Sequence, residues 1–355
     1  MKNQINILPE DIPTKWYNIL PDLPQPLPPP KDPEVGPSRI EALPKLLIGE
    51  CLKQELSTER WVDISEGLME LYLRAGRPRP LFRAEALERE LQTPAKLYYK
   101  GEFFSPTGSH KVNTALAQAY YAKEEGYERL TTETGAGQWG TALAYAASLV
   151  GLRCTIYWVR AVYNWKASRR NFMKLLGAEV HPSPSNQTEV GRALFNKNPN
   201  HPGSLGIAIS EGLEDSHKDP KATYCLGSVL NHVLLHQTII GLETRRQFEM
   251  VGTYPDIMIS CLGGGSNFGG FILPFIPDVL QGEHQVRFIA AQSKVAPNLQ
   301  GEYRYDFADH AEITPLLKMH TLGHKIEMDP IKADGLRYHG CSPIISSLLR
   351  SRLTA

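Results

Sequence analysis

The segment SPTGSHKVNTALAQ sets a lysine, Lys111, just ahead of an apolar, helix-forming run, in a turn built from glycine and small hydroxyl residues. Backbone N–H groups and the dipole at a helix start favour a neighbouring anion such as a phosphate and a lysine whose amine is easily freed of its proton. A free amine is what imine chemistry with a carbonyl compound requires. Taken singly, a lysine at a helix start is most often only a solvated cation, so Lys111 has to be read with its companions. One is Gly263-Gly264-Gly265-Ser266-Asn267, between the apolar run IMISCL and the helix-like FGGFILPF. Tandem glycines let several amides approach one anion more closely than any residue with a Cβ allows. The run lacks a P-loop lysine and is not G-x-G-x-x-G, which disfavours a nucleotide. A plain strand-to-helix turn is the alternative. The other companion is Glu133-Thr134-Gly135-Ala136-Gly137-Gln138-Trp139-Gly140, again a turn from strand to helix. Its amides would seat a carboxylate, and Glu133 at the strand end would carry protons.

These turns need a scaffold that brings them together. From Arg77 onward, short β-branched and aromatic runs alternate with amphipathic helical stretches, the pattern of a parallel sheet covered by helices. Strands are expected at Leu97–Tyr99, Arg129–Thr132, 154–159 (CTIYWV), 257–262 (IMISCL) and 286–292 (VRFIAAQ). Helices are expected at Asn113–Glu125, Gly140–Leu149 and 168–177 (SRRNFMKLLG). All three turns are thereby placed at the carboxyl ends of parallel strands, where open α/β sheets bind ligands. Ahead of this lies PDLPQPLPPPKDPEVGP, in which each proline removes a donor and fixes φ, so an extended arm is predicted, either loose or laid across the body. Regular structure is expected to begin near Ile40, with helical spacing in IEALPKLLIGECLKQELS and ISEGLMELYLRAGRPRP.

The composition narrows the partners. Thirty-eight basic residues balance 38 acidic ones, which gives no electrostatic case for nucleic acid or an anionic membrane. No window is long and apolar enough to span a bilayer, and the N-terminus lacks a cationic stretch followed by an apolar run, so a cytoplasmic protein is the default. The five cysteines, Cys51, Cys154, Cys225, Cys261 and Cys341, are scattered without metal-ligand spacing and read as buried free thiols. His232 and His236 stand four apart, but with no third ligand nearby they read as packing residues, and no metal is expected. Arg337 could meet a substrate hydroxyl or phosphate, or pair with an acid at a domain interface.

The motifs GSHKVN, TTETGAGQWG, GSVLNHVLLHQTIIGLE, GGGSNFGG and GLRYHG closely resemble the tryptophan synthase β-chain family, and the proline-rich arm, Trp139 and DGLRYHG its second, "long" subgroup. The resemblance runs almost continuously from the arm to about Ser347. It implies a fold-type-II pyridoxal 5'-phosphate enzyme of two three-layer α/β domains with mostly parallel sheets, a lyase forming L-tryptophan from L-serine and indole. Lys111 would carry the cofactor covalently, and His110 would approach its phosphate. Gly263, Gly264, Gly265, Ser266 and Asn267 would form the phosphate's main seat. Thr134, Gly135, Ala136 and Gln138 would hold the substrate carboxylate, and Glu133 would be the acid-base residue. A homodimer and an α-chain partner are implied, as is this division: an arm over 1–45; an N-terminal domain of 46–76 plus 110–228, with a mobile region around 127–214; and a C-terminal domain of 77–109 plus 229–355. Departures are Cys261-Leu262 where the subgroup tends to show Cys-His, Gln292-Ser293 where it tends to show Glu-Pro, and a chain that stops at RSRLTA where the family continues to a Ser-Gly loop against the pyridine nitrogen. Two alternatives stand beside this reading, the first motivated by the second subgroup and the second by that last departure. One keeps the cofactor but eliminates from serine or threonine or takes O-phosphoserine as donor; the other is a truncated, non-catalytic homologue that binds a partner.

Overall fold

The computed structural model describes residues 3–351. Its centre is a parallel four-stranded sheet ordered Glu179–Ser183, Arg153–Val159, Arg129–Thr134, Ala222–Tyr224. The middle strands are rich in Thr, Ile, Tyr, Trp and Val and are buried along almost their whole length, as parallel strands must be when helices cover both faces. Leu130, Ile156 and Trp158 pack on one side with Leu143 of the helix Gln138–Val150 and with Val112, Ala115 and Leu116 of the helix Val112–Glu124. On the other side the Thr131 hydroxyl donates to the Gly212 carbonyl of the helix Leu205–His217. Side chains alternate along a strand, so Glu133 shares the Thr131 face.

The second region has a parallel pair, Ile257–Cys261 with Arg287–Ala291, covered on its inner face by the helix Ser266–Ile272 and the long helix Asn231–Met250. Ile257 and Ile259, on the other face, are exposed. Antiparallel pieces surround it: Leu81–Arg83 lies between Gln4–Ile5 and Tyr98–Lys100, and Glu302–Phe307 pairs with Leu316–Thr321. The α/β class and the expected strands and helices are therefore present, with their ends moved by a few residues.

Three expectations are corrected, and one of the two settings left open for the arm is selected. Regular structure begins well before Ile40, because Gln4–Ile5 and Lys15–Tyr17 pair with strands of the body. The arm is laid across the body rather than loose: Lys31 bridges to Leu316, Leu23 is buried, and Trp16, just ahead of it, is fully enclosed. The helical stretch after Ile40 is split into Leu43–Leu46 and Gly49–Glu55, with extended backbone at Leu47 and Ile48 between them. Four cysteines are buried, but Cys261, at the end of its strand, is exposed.

A buried ionic cluster ties the edge sheet to the helices. Arg77 pairs with Glu102 at 2.8 Å and Glu243 at 2.7 Å, Lys100 pairs with Glu243 at 2.8 Å, and the Arg77 Nε donates to Asn113 on the Val112–Glu124 helix. Burial pushes the Glu243 carboxyl up, but Arg77 and Lys100 outweigh it and hold it below the usual carboxylate range. A depressed carboxyl stabilises the fold above its unfolded-state pKa and loses that contribution as the pH falls. Removing one partner of such a set strands the others in a dry site. Glu243→Gln is expected to cost about 3–5 kcal/mol near neutral pH, read as a lowered urea midpoint; a loss below about 1 kcal/mol would contradict the cluster's role.

Candidate active site

The carboxyl end of the central strand opens into a cleft of about 470 Å³ lined by Lys111, Glu133, Gly227, the glycine run from Gly263 and the segment around Asp334. That volume suits a small molecule. Lys111 stands at the N-cap of its helix, and its Nζ donates to the Gly227 carbonyl at 2.8 Å. Burial brings its amine down to about 8, partly opposed by Glu133 across the cleft. One positional expectation fails here. The strand preceding Lys111, Tyr98–Lys100, is antiparallel and belongs to the edge sheet; the lysine enters through the 3-10 turn Glu102–Phe104 and the loop after it. The other two turns do end parallel strands.

Glu133 is 3% exposed. Its carboxylate accepts from the Tyr224 hydroxyl, and the Thr132 hydroxyl, whose hydrogen goes to the Cys225 carbonyl at 2.6 Å, lies 3.3 Å away. Burial pushes its carboxyl above the usual range, against the pull of Tyr224 and of Lys111. The same dry cleft thus moves an amine down and a carboxyl up, the pattern of a base and an acid sharing one reaction.

The two seats follow one backbone rule. In the loop after Thr134, the Gly135 carbonyl accepts from the Trp158 indole at 2.6 Å and the Ala136 carbonyl from Arg169 at 2.9 Å. A trans peptide is planar, so the N–H groups of Ala136 and Gly137 point away from those partners. Gly137 has φ +87°, and a Cβ there would lie 2.5 Å from the Trp158 ring, so the turn requires glycine. In the glycine run, the Gly263 carbonyl accepts from Asn298 at 2.9 Å and the Gly264 carbonyl from the Ser342 N–H at 2.8 Å. The N–H groups of Gly264 and Gly265 are turned the opposite way. A Cβ on Gly264 would fall 1.9 Å from the Ser228 hydroxyl, and Gly265 adopts φ +123°. His110 shares a hydrogen bond with Ser266 at 3.2 Å, and burial, aided by the charge of Lys111, pushes it well below the usual range and keeps the imidazole neutral. Freed amides in a glycine cradle, with a buried lysine amine in the same cleft, are what an aldehyde cofactor carrying a phosphate needs; the residues present fit pyridoxal phosphate.

The structure gathers every predicted site residue into this one cleft, though two side chains are engaged elsewhere. The Thr134 hydroxyl accepts from the Gly140 N–H at 3.1 Å, and the Asn267 amide donates to Ser260 and to the Cys261 carbonyl. His232 and His236 bond to Glu55, Gln54 and Thr114, and no metal-holding cluster occurs among the described residues. Arg337 is buried, with its Nε on Asp334 and its Nη1 on the Met328 carbonyl at 2.8 Å, which turns it from a substrate contact into support for the Asp334 wall. Sequence reading missed Tyr224, Asp334 and the Gly227-Ser228-Val229 wall. Val229 sits at φ +78°, a strained conformation for a β-branched residue, and no local pattern announces it.

Comparison with known proteins agrees with this geometry. Residues 72–344 match the family model described as "Pyridoxal-phosphate dependent enzyme". The chain is 58% identical over 351 residues to tryptophan synthase beta chain 2 of Methanothermobacter thermautotrophicus, covering 99% of this chain and 82% of that protein. It is 56% identical to tryptophan synthase beta chain 2 of Pyrococcus furiosus, covering 97% and 78%. Among solved structures, an L-serine ammonia-lyase from Rhizomucor miehei superposes with a TM-score of 0.54 at 17% identity, over 77% of this chain and 72% of that one. The T.th. threonine deaminase gives 0.51 at 21%, over 76% and 73%. At those identities the two structures speak for the fold alone, whereas the sequence relatives span nearly the whole chain: it belongs to the tryptophan synthase β-chain family of pyridoxal-phosphate-dependent enzymes.

Proposed function

We propose that the cleft replaces the β-hydroxyl of L-serine with indole to give L-tryptophan and water, with Lys111 and Glu133 moving the protons. The observation that carries this reading is the pairing, in one dry cleft, of a lysine amine lowered to about 8 with a carboxyl raised above its usual range. Bound there, pyridoxal phosphate supplies an electron sink that acidifies the Cα–H of an amino acid joined to it. Gly263, Gly264, Gly265, Ser266 and Asn267 hold the phosphate chiefly through backbone amides, with neutral His110 beside them. Thr134, Gly135, Ala136 and Gln138 orient the serine carboxylate. Lys111 Nζ takes the Cα proton. The Glu133 carboxyl, whose hold on a proton burial strengthens, gives a proton to the departing β-hydroxyl, which leaves as water. Ionised after that transfer, it stabilises the positive charge on indole as the indole carbon bonds to Cβ, and takes up the proton the ring releases. Lys111 returns its proton to Cα. Leu205, Ile209 and Leu226 give the cleft an apolar wall suited to indole.

The family's β-chain name is the ground for proposing self-pairing and an α-type partner; placement in the cytoplasm is proposed with them. No helix among the described residues is long and apolar enough to cross a membrane.

The test is product analysis with serine and indole together: tryptophan is expected to exceed pyruvate, and rapid pyruvate release with tryptophan undetectable would overturn the reading. Lys111→Ala and Glu133→Gln are each expected to slow turnover by roughly 10²- to 10⁴-fold, checked by tryptophan formation under saturating substrates. Cofactor capture needs the unprotonated amine, so its rate should climb about tenfold per pH unit below the Lys111 value of about 8 and level off above it, followed by the rise of the near-violet absorbance band. Gly264→Ala, which drives a methyl into Ser228, should weaken cofactor binding by on the order of tenfold or more in the same titration.

A further inference from the structure

The Gly227 carbonyl that receives the Lys111 amine hangs from a dipeptide whose four backbone groups are all engaged. Cys225 N–H donates to the Thr131 carbonyl at 2.9 Å, and the Cys225 carbonyl accepts from the Thr132 hydroxyl at 2.6 Å. Both bonds on Leu226 come from one side chain: its N–H donates to Gln118 Oε1 at 3.0 Å, and its carbonyl accepts from Gln118 Nε2 at 2.8 Å. Gln118 is 1% exposed and stands seven residues after Lys111 on the helix that Lys111 opens, two turns along the same face. The lysine and the clamp on its acceptor therefore ride on one rigid element.

The clamp has a fixed direction. The second Gln118 Nε2 hydrogen goes to the Thr114 hydroxyl at 2.8 Å, and because His236 Nε2 faces the acceptor Gln54 Oε1, its Nδ1 at 3.0 Å accepts the Thr114 hydrogen. His236 is fully buried, and desolvation holds it neutral, well below the usual range, so its one proton sits on Nε2 and is donated to Gln54 Oε1 at 2.7 Å. The amide of Gln118 cannot flip without breaking this series. Gly227 also packs tightly on Trp139, since a Cβ there would lie 2.4 Å from the ring, so the position admits only glycine.

We propose that Gln118 is the positioning residue for the reaction's lysine: by clasping Leu226 it holds the Gly227 carbonyl where the Lys111 amine is parked and aimed into the cleft. The proposal rests on Lys111 being the reactive lysine, but the geometry can be tested without the overall reaction.

The titratable groups facing the amine are Glu133 from the central strand and His110 beside it in the turn, and neither is altered in the variants. In the full chain freed of cofactor, reductive methylation of Lys111 with formaldehyde is followed by peptide mass spectrometry as a function of pH, for the parent, Gln118→Met and Gln118→Asn. The ammonium form donates to Gly227, so losing that acceptor disfavours the charged form. The midpoint should move below about 8, with labelling at pH 7 about three- to tenfold faster. A merely structural role would instead loosen the site, admit water and move the midpoint up, towards that of an ordinary lysine. With cofactor restored, kcat should fall about tenfold while the serine KM changes less than twofold, because the carboxylate loop is untouched. Gln118→Asn keeps the amide but is one methylene too short to clasp both groups, and it carries the test should the methionine variant not fold. A midpoint in the folded variants that is unmoved, or moved upward, overturns the proposal; because labelling reads Lys111 directly, that result stands apart from whether serine and indole are the substrates.

Discussion

Peptide carbonyls tied away from the cleft are what the site depends on. Trp158 and Arg169 take those of Gly135 and Ala136, and Asn298 and Ser342 take those of Gly263 and Gly264. Each tie commits the next N–H to the opposite direction. An anion seat made in this way needs no cation, which leaves the Lys111 amine free for covalent work. The partners of the carbonyls come from distant parts of the chain, so the seats exist only in the folded protein and are set before any ligand arrives.

Dryness is the second requirement, and it follows from the packing. Helices cover both faces of the four-stranded sheet, and the strand that carries Glu133 is buried along all but its first residue. Low local polarity penalises whichever form is charged, so one environment lowers the lysine and raises the glutamate. The two groups therefore approach neutrality from opposite sides, and a proton can pass between either of them and a substrate with little cost. Tyr224 limits how far Glu133 drifts, since its hydrogen bond favours the ionised form.

Much of this was legible in the residues. Lys111, Glu133 and the glycine run were marked by local composition, and the Arg129–Thr132 and 257–262 strands by short apolar and β-branched stretches, because those signals are properties of a few consecutive residues. What stayed hidden was non-local. Tyr224 reaches Glu133 across a strand pair, Gln118 meets Leu226 across more than a hundred residues, and the φ of Val229 is imposed by its neighbours. The antiparallel setting of Tyr98–Lys100 was also out of reach, since a three-residue strand carries no periodicity that tells parallel from antiparallel. In the arm, the prolines of 21–37 excluded helix but could not say that Trp16 and Tyr17, just ahead of them, are buried in the body.

The central claim is that Lys111 is the amine that carries the cofactor. Borohydride reduction of the cofactor-loaded chain, followed by proteolysis and mass mapping, tests it most directly. The account predicts one modified peptide, with the reduced pyridoxyl group on Lys111 and the near-violet band abolished. The same adduct on another lysine, or a band that survives reduction with Lys111 unmodified, would contradict it.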